Sequence, residues 1–159
     1  MIFVTVGTQK FQFERLLRRI DDLIEQGKIT EEVTAQIGHN TYRPRHYAFR
    51  DFLSKEEYTA AIAGCSLLIT HSGVGSIITG VTHHKPVIVV PRLAKFQEHI
   101  DDHQVQIAES FSAQNLILMC DEQGDLAALM QEAREHTFAE YVSQREEMLN
   151  TIKAYLSTF

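Results

Sequence analysis

The segment Leu67-Leu68-Ile69-Thr70-His71-Ser72-Gly73-Val74-Gly75-Ser76-Ile77 decides the fold. Its first residues are a short continuous apolar run, the pattern of a strand buried on both faces. The residues that follow place two glycines and two hydroxyls where that strand gives way to a helix. A parallel α/β sheet presents backbone N–H groups and a positive helix end at such a turn, so a phosphorylated ligand is the first expectation. A second segment, Glu98-His99-Ile100-Asp101-Asp102-His103-Gln104, follows the strand-like run Pro86 to Leu93. It clusters imidazole, carboxylate and amide groups at the expected start of the next helix, side chains suited to the hydroxyl-rich remainder of a ligand. Together the two segments point to a nucleotide-sugar site.

Outward from these segments, strand and helix patterns alternate. Residues 2–6 (IFVTV) form an apolar run that ends at Gly7. From Phe13 to Gln26 the apolar residues Phe13, Leu16, Leu17, Ile20, Leu23 and Ile24 recur at helical spacing, and Gly27 ends the helix. Residues 33–37 (VTAQI) and the stretch around His46 to Phe49 read as the second and third strands. Ser54 followed by Glu57 is a capping-box pattern, opening a helix that stops at Gly64. The run SLLIT, a helix from about Gly75 to His83, and the run PVIVV form the next unit. A helix over Glu98 to Ser110, a strand at 116–119 and a helix over Asp125 to Arg134 follow. Strands alternating with helices predict a mostly parallel, Rossmann-like sheet flanked by helices. The last stretch, residues 137–159, carries an apolar stripe of helical period. It packs on its own domain or reaches a partner.

The composition limits the alternatives. A chain of 159 residues is expected to be a single domain, and one of this size buries roughly 68–70% of its unfolded surface. Cys65 and Cys120 lie in or beside apolar runs without CxxC spacing, which predicts buried free thiols and a reducing, cytoplasmic setting. The amino terminus has no basic leader, so it reads as a strand and not as a signal peptide. No apolar run approaches the ~18 residues of a membrane span. A net charge of −6 argues against nucleic-acid binding, which needs basic surface.

Several chemistries compete at the two segments. Gly7 leads into Thr8 and Gln9 on the loop before the first helix, a turn that needs small residues in any case. Ser72 is expected as the helix N-cap, its hydroxyl meeting either the helix N–H groups or a ligand. Gly75, two residues beyond Gly73, allows close approach to the backbone. A serine hydrolase is disfavoured because adjacent residues in extended chain point oppositely, which places His71 badly as a base for Ser72, and GxSxG is absent. Neither GxxxxGK[ST] nor GxGxxG is present. His99 and His103, four apart with Asp101 and Asp102 nearby, read as a metal pair, a solvated helix face or contacts to a sugar or phosphate; HxxxH lacks the glutamate of HExxH. His83 and His84 fall at a helix end, where imidazoles meet the negative dipole.

In combination VTVGTQ with Phe13 to Leu16, THSGVGSI, Lys85 to Leu93, and EHIDDHQ with Ala108 resemble the C-terminal domain of glycosyltransferase family 28. The resemblance is closest to its stand-alone form. That group includes the donor-binding subunit of the two-part dolichol-linked N-acetylglucosamine transferase and subunits of bacterial capsule and exopolysaccharide glycosyltransferases. The matching residues span 1 to about 110 in the right order. The resemblance implies the C-terminal half of a GT-B glycosyltransferase, holding a UDP-sugar and needing no metal or cofactor.

Carried over to this sequence, Gly7 and Thr8 would lie by the diphosphate. His71, Ser72, Gly73, Gly75 and Ser76 would stand at the helix start near the phosphates and sugar. His103 and Gln104 match the polar pair at the donor sugar and are the candidate catalytic residues, with Glu98, His99 and Asp102 around them. Two-domain relatives usually carry a ribose-binding glutamate where this chain has Thr79. The resemblance further implies an inverting hexosyltransferase whose general base lies on the other half. The partner would be a membrane-anchored subunit bringing a lipid-linked acceptor and recruiting this chain to the inner face of the membrane. A non-catalytic nucleotide-sugar-binding enhancer is the alternative. A UDP-sugar epimerase would need both halves in one chain.

Overall fold

The computed structural model describes residues 1–141. Six strands, β1 (Ile2–Thr5), β2 (Val33–Gln36), β3 (Ala48–Arg50), β4 (Leu67–Thr70), β5 (Val87–Val89) and β6 (Leu118–Met119), alternate with five α-helices. These are α1 (Glu14–Glu25), α2 (Lys55–Gly64), α3 (Val74–Thr82), α4 (His103–Ala113) and α5 (Leu126–Glu135). All strand pairs are parallel and the order is β3-β2-β1-β4-β5-β6. The expected Rossmann-like sheet is therefore present.

The period-two geometry of strands divides the core. Ile2 and Val4 of β1, with Leu67 and Ile69 of β4, pack against Leu16, Leu17 and Ile20 of α1 and Leu126 and Met130 of α5. Phe3, Leu68, Val87 and Val89 point the other way, onto Ile62 of α2, Ile77 and Val81 of α3, and Ala108 and Phe111 of α4. Covering both faces is what requires the unbroken apolar runs seen in the sequence. The charged third strand is explained by its position: β3 is an edge strand with exposed residues, and Arg50 pairs with Glu57 at 3.1 Å. Both cysteines are buried and free, and burial pushes their thiols up.

β1 and β4 are neighbours, but the chain winds from β1 towards β2 and β3 and from β4 towards β5 and β6. The strand order reverses between them. At such a switch point the loops after the two strands part and leave a crevice at their carboxyl ends, where open α/β sheets bind ligands.

Side-chain caps hold two helix starts, the first as expected. Ser54 and Glu57 form the reciprocal capping box of α2, and the Asp125 carboxylate accepts from Ala128 N at 3.1 Å to cap α5. Two expectations are corrected. The fourth helix begins at His103, five residues after Glu98, because the chain first makes a 3-10 turn at Ala94–Phe96 and a left-handed residue at Gln97 (φ 60°). The terminal helix does not include residues 137–141: Ala139 N donates to Asn115 O at 2.8 Å and Thr137 O accepts from Asn115 Nδ2 at 3.0 Å, which ties this backbone to the turn after α4. The rest of that expected helix lies outside the described residues.

Two stability predictions follow from these contacts. Ser54→Ala removes one bond of the box and should cost about 1 kcal/mol, a fall in Tm of about 2–4 °C for a domain this size; an unchanged melting curve would show that packing alone sets the start of α2. Buried Asp21 of α1 accepts from Tyr42 Oη at 2.5 Å and from Arg45 N and His46 N at 2.9 Å, pinning the loop before β3. Asp21→Ala strands those donors and should cost about 3 kcal/mol in urea unfolding; a loss below about 1 kcal/mol would contradict the role given to this carboxylate.

Candidate functional site

The crevice is built from two turns that meet across one imidazole. After β1 the chain enters the left-handed region at Gly7 (φ 75°), which a side chain would strain. After β4, His71 N donates to Thr5 O at 3.2 Å, so the two strand ends stay joined one residue beyond the ladder. The His71 ring then lies between the turns. A methyl group on Gly7 or on Gly73 would sit 2.5 Å from His71 Nε2, closer than real contacts allow. These two glycines are therefore required by the protein's own histidine. A methyl on Gly38 would likewise fall 2.5 Å from Gly7 O, so the loop after β2 packs directly on the first turn.

Helix α3 starts with Gly73 as N-cap and has no side-chain cap. Ser72 is not the cap: its Oγ is buried and has no partner among the described residues, while its N–H donates to Gln104 Oε1 at 3.3 Å. The first N–H groups of α3 thus have no side-chain acceptor from this turn, and with the helix dipole they favour an anion. Gly75 stands in this first turn, and a methyl group there would meet nothing within 4 Å among the described residues. Ser76 Oγ bonds Tyr58 Oη, whereas Thr79 Oγ1 donates to Gly75 O at 2.8 Å, within its own helix.

A cavity of about 360 Å³ opens on these groups. Gly7, Thr8 and Gln9 line it from the first turn, His71, Gly73, Gly75 and Ser76 from the second, and Gln36, Leu53, Lys55 and Tyr58 from the far wall. Gln36 is buried; its Nε2 donates to Thr5 Oγ1 at 3.3 Å and its Oε1 accepts from Leu53 N at 2.9 Å. A second cavity, about 420 Å³, lies near the C-terminal ends of α3 and α5, beside His84, Lys85 and His136. Helix C-termini carry the wrong dipole sign for a phosphate.

The acidic and imidazole segment divides into two layers. Glu98 and Gln104 are buried. Glu98 accepts from Arg15 at 2.9 and 3.0 Å and from Leu93 N at 2.9 Å, and Gln104 Oε1 accepts from Arg92 N at 3.0 Å while its Nε2 lies 3.3 Å from His71 Nδ1. His99, Asp102 and His103 are outside that layer. His99 Nδ1 meets Asp101 at 3.1 Å, Asp102 Oδ1 accepts from Ala94 N at 2.9 Å, and exposed His103 meets Gln106 Oε1 at 3.2 Å. Because α4 begins at His103, the expected shared helix face of His99 and His103 does not exist. Among the described residues no group of three or more His, Cys, Asp or Glu is placed to hold a metal.

Arg92 has no counterpart in the sequence reading. Its side chain is fully buried; Nη1 donates to Phe11 O at 2.9 Å and Glu98 O at 3.2 Å, Nη2 donates to Val6 O, and the guanidinium lies 5.0 Å from the Phe13 ring centroid. Burial lowers its pKa to about 10, so it remains a cation at neutral pH. Burial, with Arg92 and His99 adding to it, pushes His71 down to about 3 and keeps the imidazole neutral. The signal available in the sequence was an arginine directly behind an unbroken apolar strand, where a charge must find internal partners.

The family model of the glycosyltransferase family 28 C-terminal domain matches residues 1–156. No curated protein matches the chain. Among solved structures, the NMR structure of ALG13 aligns at 22% identity with TM-score 0.59, covering 89% of either chain. MurG of Acinetobacter baumannii aligns at 17% identity with TM-score 0.56, covering 92% of this chain and 48% of that one. The glycosyltransferase of kitacinnamycin aligns at 16% identity with TM-score 0.59, covering 83% of this chain. The chain spans about a third of that enzyme and of SnogD from Streptomyces nogalater, 33% and 37% of their lengths. The fold is that of the C-terminal Rossmann-like half of a GT-B glycosyltransferase. With the match extending over nearly its whole length, the chain belongs to the glycosyltransferase family 28 C-terminal domain family.

Proposed function

We propose that this protein is the donor-binding subunit of a heteromeric inverting glycosyltransferase that transfers a hexose from a UDP-sugar to a lipid-linked acceptor. The observation that carries the reading is the convergence of the Gly7 turn, the His71 imidazole and the uncapped start of α3 on one cavity. A diphosphate placed there meets fixed N–H dipoles. As the bond from the sugar to the β-phosphate breaks, negative charge grows on the UDP leaving group. Dipoles already aimed at it stabilise the transition state more than the ground state. His103, at the exposed start of α4, would meet the sugar or the acceptor side of the complex, with Asp102 and His99 beside it.

The partner is proposed on two grounds. The chain spans only 33% and 37% of two glycosyltransferases that it resembles, yet it and ALG13 align over 89% of either chain. Among the described residues the exposed large apolar side chains, Phe52, Val74, Phe96 and Ile100, all follow the carboxyl ends of strands, on the side where the cavity opens. A membrane-anchored second polypeptide would cover that side and supply the acceptor and the general base. Among the described residues no helix is long and apolar enough to cross a membrane. The reading places this chain at the inner membrane face.

Isothermal titration of the purified chain with UDP should show binding, and Gly73→Ala, which drives a methyl into His71, should weaken it by at least about tenfold. Equal affinity in the folded variant would remove the second turn from the site. Transfer from a UDP-sugar should appear only when the partner is added. Full turnover by the isolated chain would overturn the subunit assignment.

A further inference from the structure

The geometry points to Gln104 as the positioning residue that puts the imidazole proton of His71 on Nε2, the nitrogen between the two glycine turns, and so as part of the diphosphate site rather than a contact to the sugar. The role at the diphosphate rests on the donor-binding function proposed above; the position of the proton does not.

The hydrogen-bond directions leave one arrangement. Gln104 Oε1 faces two backbone donors, Arg92 N at 3.0 Å and Ser72 N at 3.3 Å. An amide –NH₂ turned to that place would oppose N–H to N–H, so the oxygen must be there. The –NH₂ end then faces His71 Nδ1 at 3.3 Å. It can only donate, and Nδ1 must accept. A neutral imidazole that accepts at Nδ1 carries its proton on Nε2.

Nε2 lies 2.5 Å from where a Cβ on Gly7 or on Gly73 would stand, and His71 is one of the residues lining the cavity on which α3 starts. The Nε2–H thus adds a directed donor to the helix N–H groups at the same place. The groups facing the ring keep it neutral. Arg92, from the loop after β5, and His99 beyond it oppose a second proton, and burial acts in the same direction. The nearby carboxylate of Glu98 is engaged by Arg15 and Leu93 N. Lys55 and Tyr58 of α2 stand across the cavity. Gln104 itself is 3% exposed with both acceptor positions of Oε1 occupied. A sugar hydroxyl could reach it only by displacing a bond that holds one of these loops.

The test is long-range ¹H–¹⁵N NMR of the full-length chain labelled in histidine, without ligand, and UDP titration in parallel. Wild type should show His71 neutral with the proton on Nε2 between about pH 8 and pH 5. Its UDP affinity should show no dependence on His71 protonation over that range. Gln104→Glu keeps both acceptor bonds to Ser72 N and Arg92 N but presents only acceptor oxygens to Nδ1. The proton should move to Nδ1, and at about pH 8 UDP affinity should fall by at least about tenfold, recovering towards pH 6 as an imidazolium restores Nε2–H. A wild-type Nδ1–H tautomer overturns the inference whatever the variant does. So does a folded variant that keeps wild-type UDP affinity and tautomer and loses only the added affinity of a UDP-sugar over UDP. If the wild-type tautomer is as stated but UDP does not bind at any pH, the donor-binding function fails while the positioning of His71 by Gln104 stands.

Discussion

The guanidinium of Arg92 has no solvent-accessible surface, and it is held by three carbonyl oxygens and the face of one aromatic ring. Removing an ion from water costs several kcal/mol, so such a group is tolerated only where the surrounding acceptors are fixed. The acceptors here belong to Val6, Phe11 and Glu98, residues that have left the strand ladder and would otherwise need other donors. One cation thereby joins the loop after β1 to the loop after β5. The Glu98 carboxylate, turned away to Arg15 of α1 and to Leu93 N, extends the network to the first helix. The position of the crevice walls depends on this charge staying where it is.

A second, uncharged layer rests on the first. Gln104 accepts from Arg92 N and Ser72 N, which joins the loop after β5 to the loop after β4, and its amide nitrogen reaches His71. The imidazole then fills the gap between the Gly7 and Gly73 turns, so the close fit excludes any larger residue at either position. Preorganisation of this kind is what electrostatic catalysis needs. Donors that are already aimed do not reorganise when charge develops. Internal partners of this kind explain why the polar side chains of Gln36, His71 and Gln104 are buried rather than solvated.

The parallel sheet was readable because its cause is local. Unbroken apolar runs such as residues 2–6 and 67–69, set between helical periods, have no good solution other than a sheet covered on both faces. Glycines at the ends of β1 and β4 marked the crevice as well. What could not be read was the reason for them: Gly7 is small because of His71, which the pairing of β1 with β4 brings against it, and no spacing rule reports a contact between loops. Glu98 and Gln104 showed the same limit. Their chemistry resembles that of His99 and His103 on paper, but burial turns the first two inward to Arg15, Leu93, Ser72 and Arg92 and leaves His103 exposed. The late start of α4 had no clear sequence mark either, since Gln97 takes left-handed geometry (φ 60°) without being glycine.

The surface around the cavity bears on why a donor half would depend on a partner. Phe52, Val74, Phe96 and Ile100 follow β3, β4 and β5 at their carboxyl ends, so they rim the same side of the sheet as the start of α3. Exposed to water, the N–H dipoles of that helix start act through a high dielectric, where a charge interaction is worth several-fold less than in a dry site. Covering the rim would exclude water from the phosphates while burying apolar groups that otherwise face solvent. The hydrophobic gain at the rim and the strengthened electrostatics at the centre would then come from the same docking event. Under the proposed two-part arrangement, assembly would raise the catalytic value of donors the isolated chain already holds in place, with no rearrangement of the Arg92 and Gln104 network required.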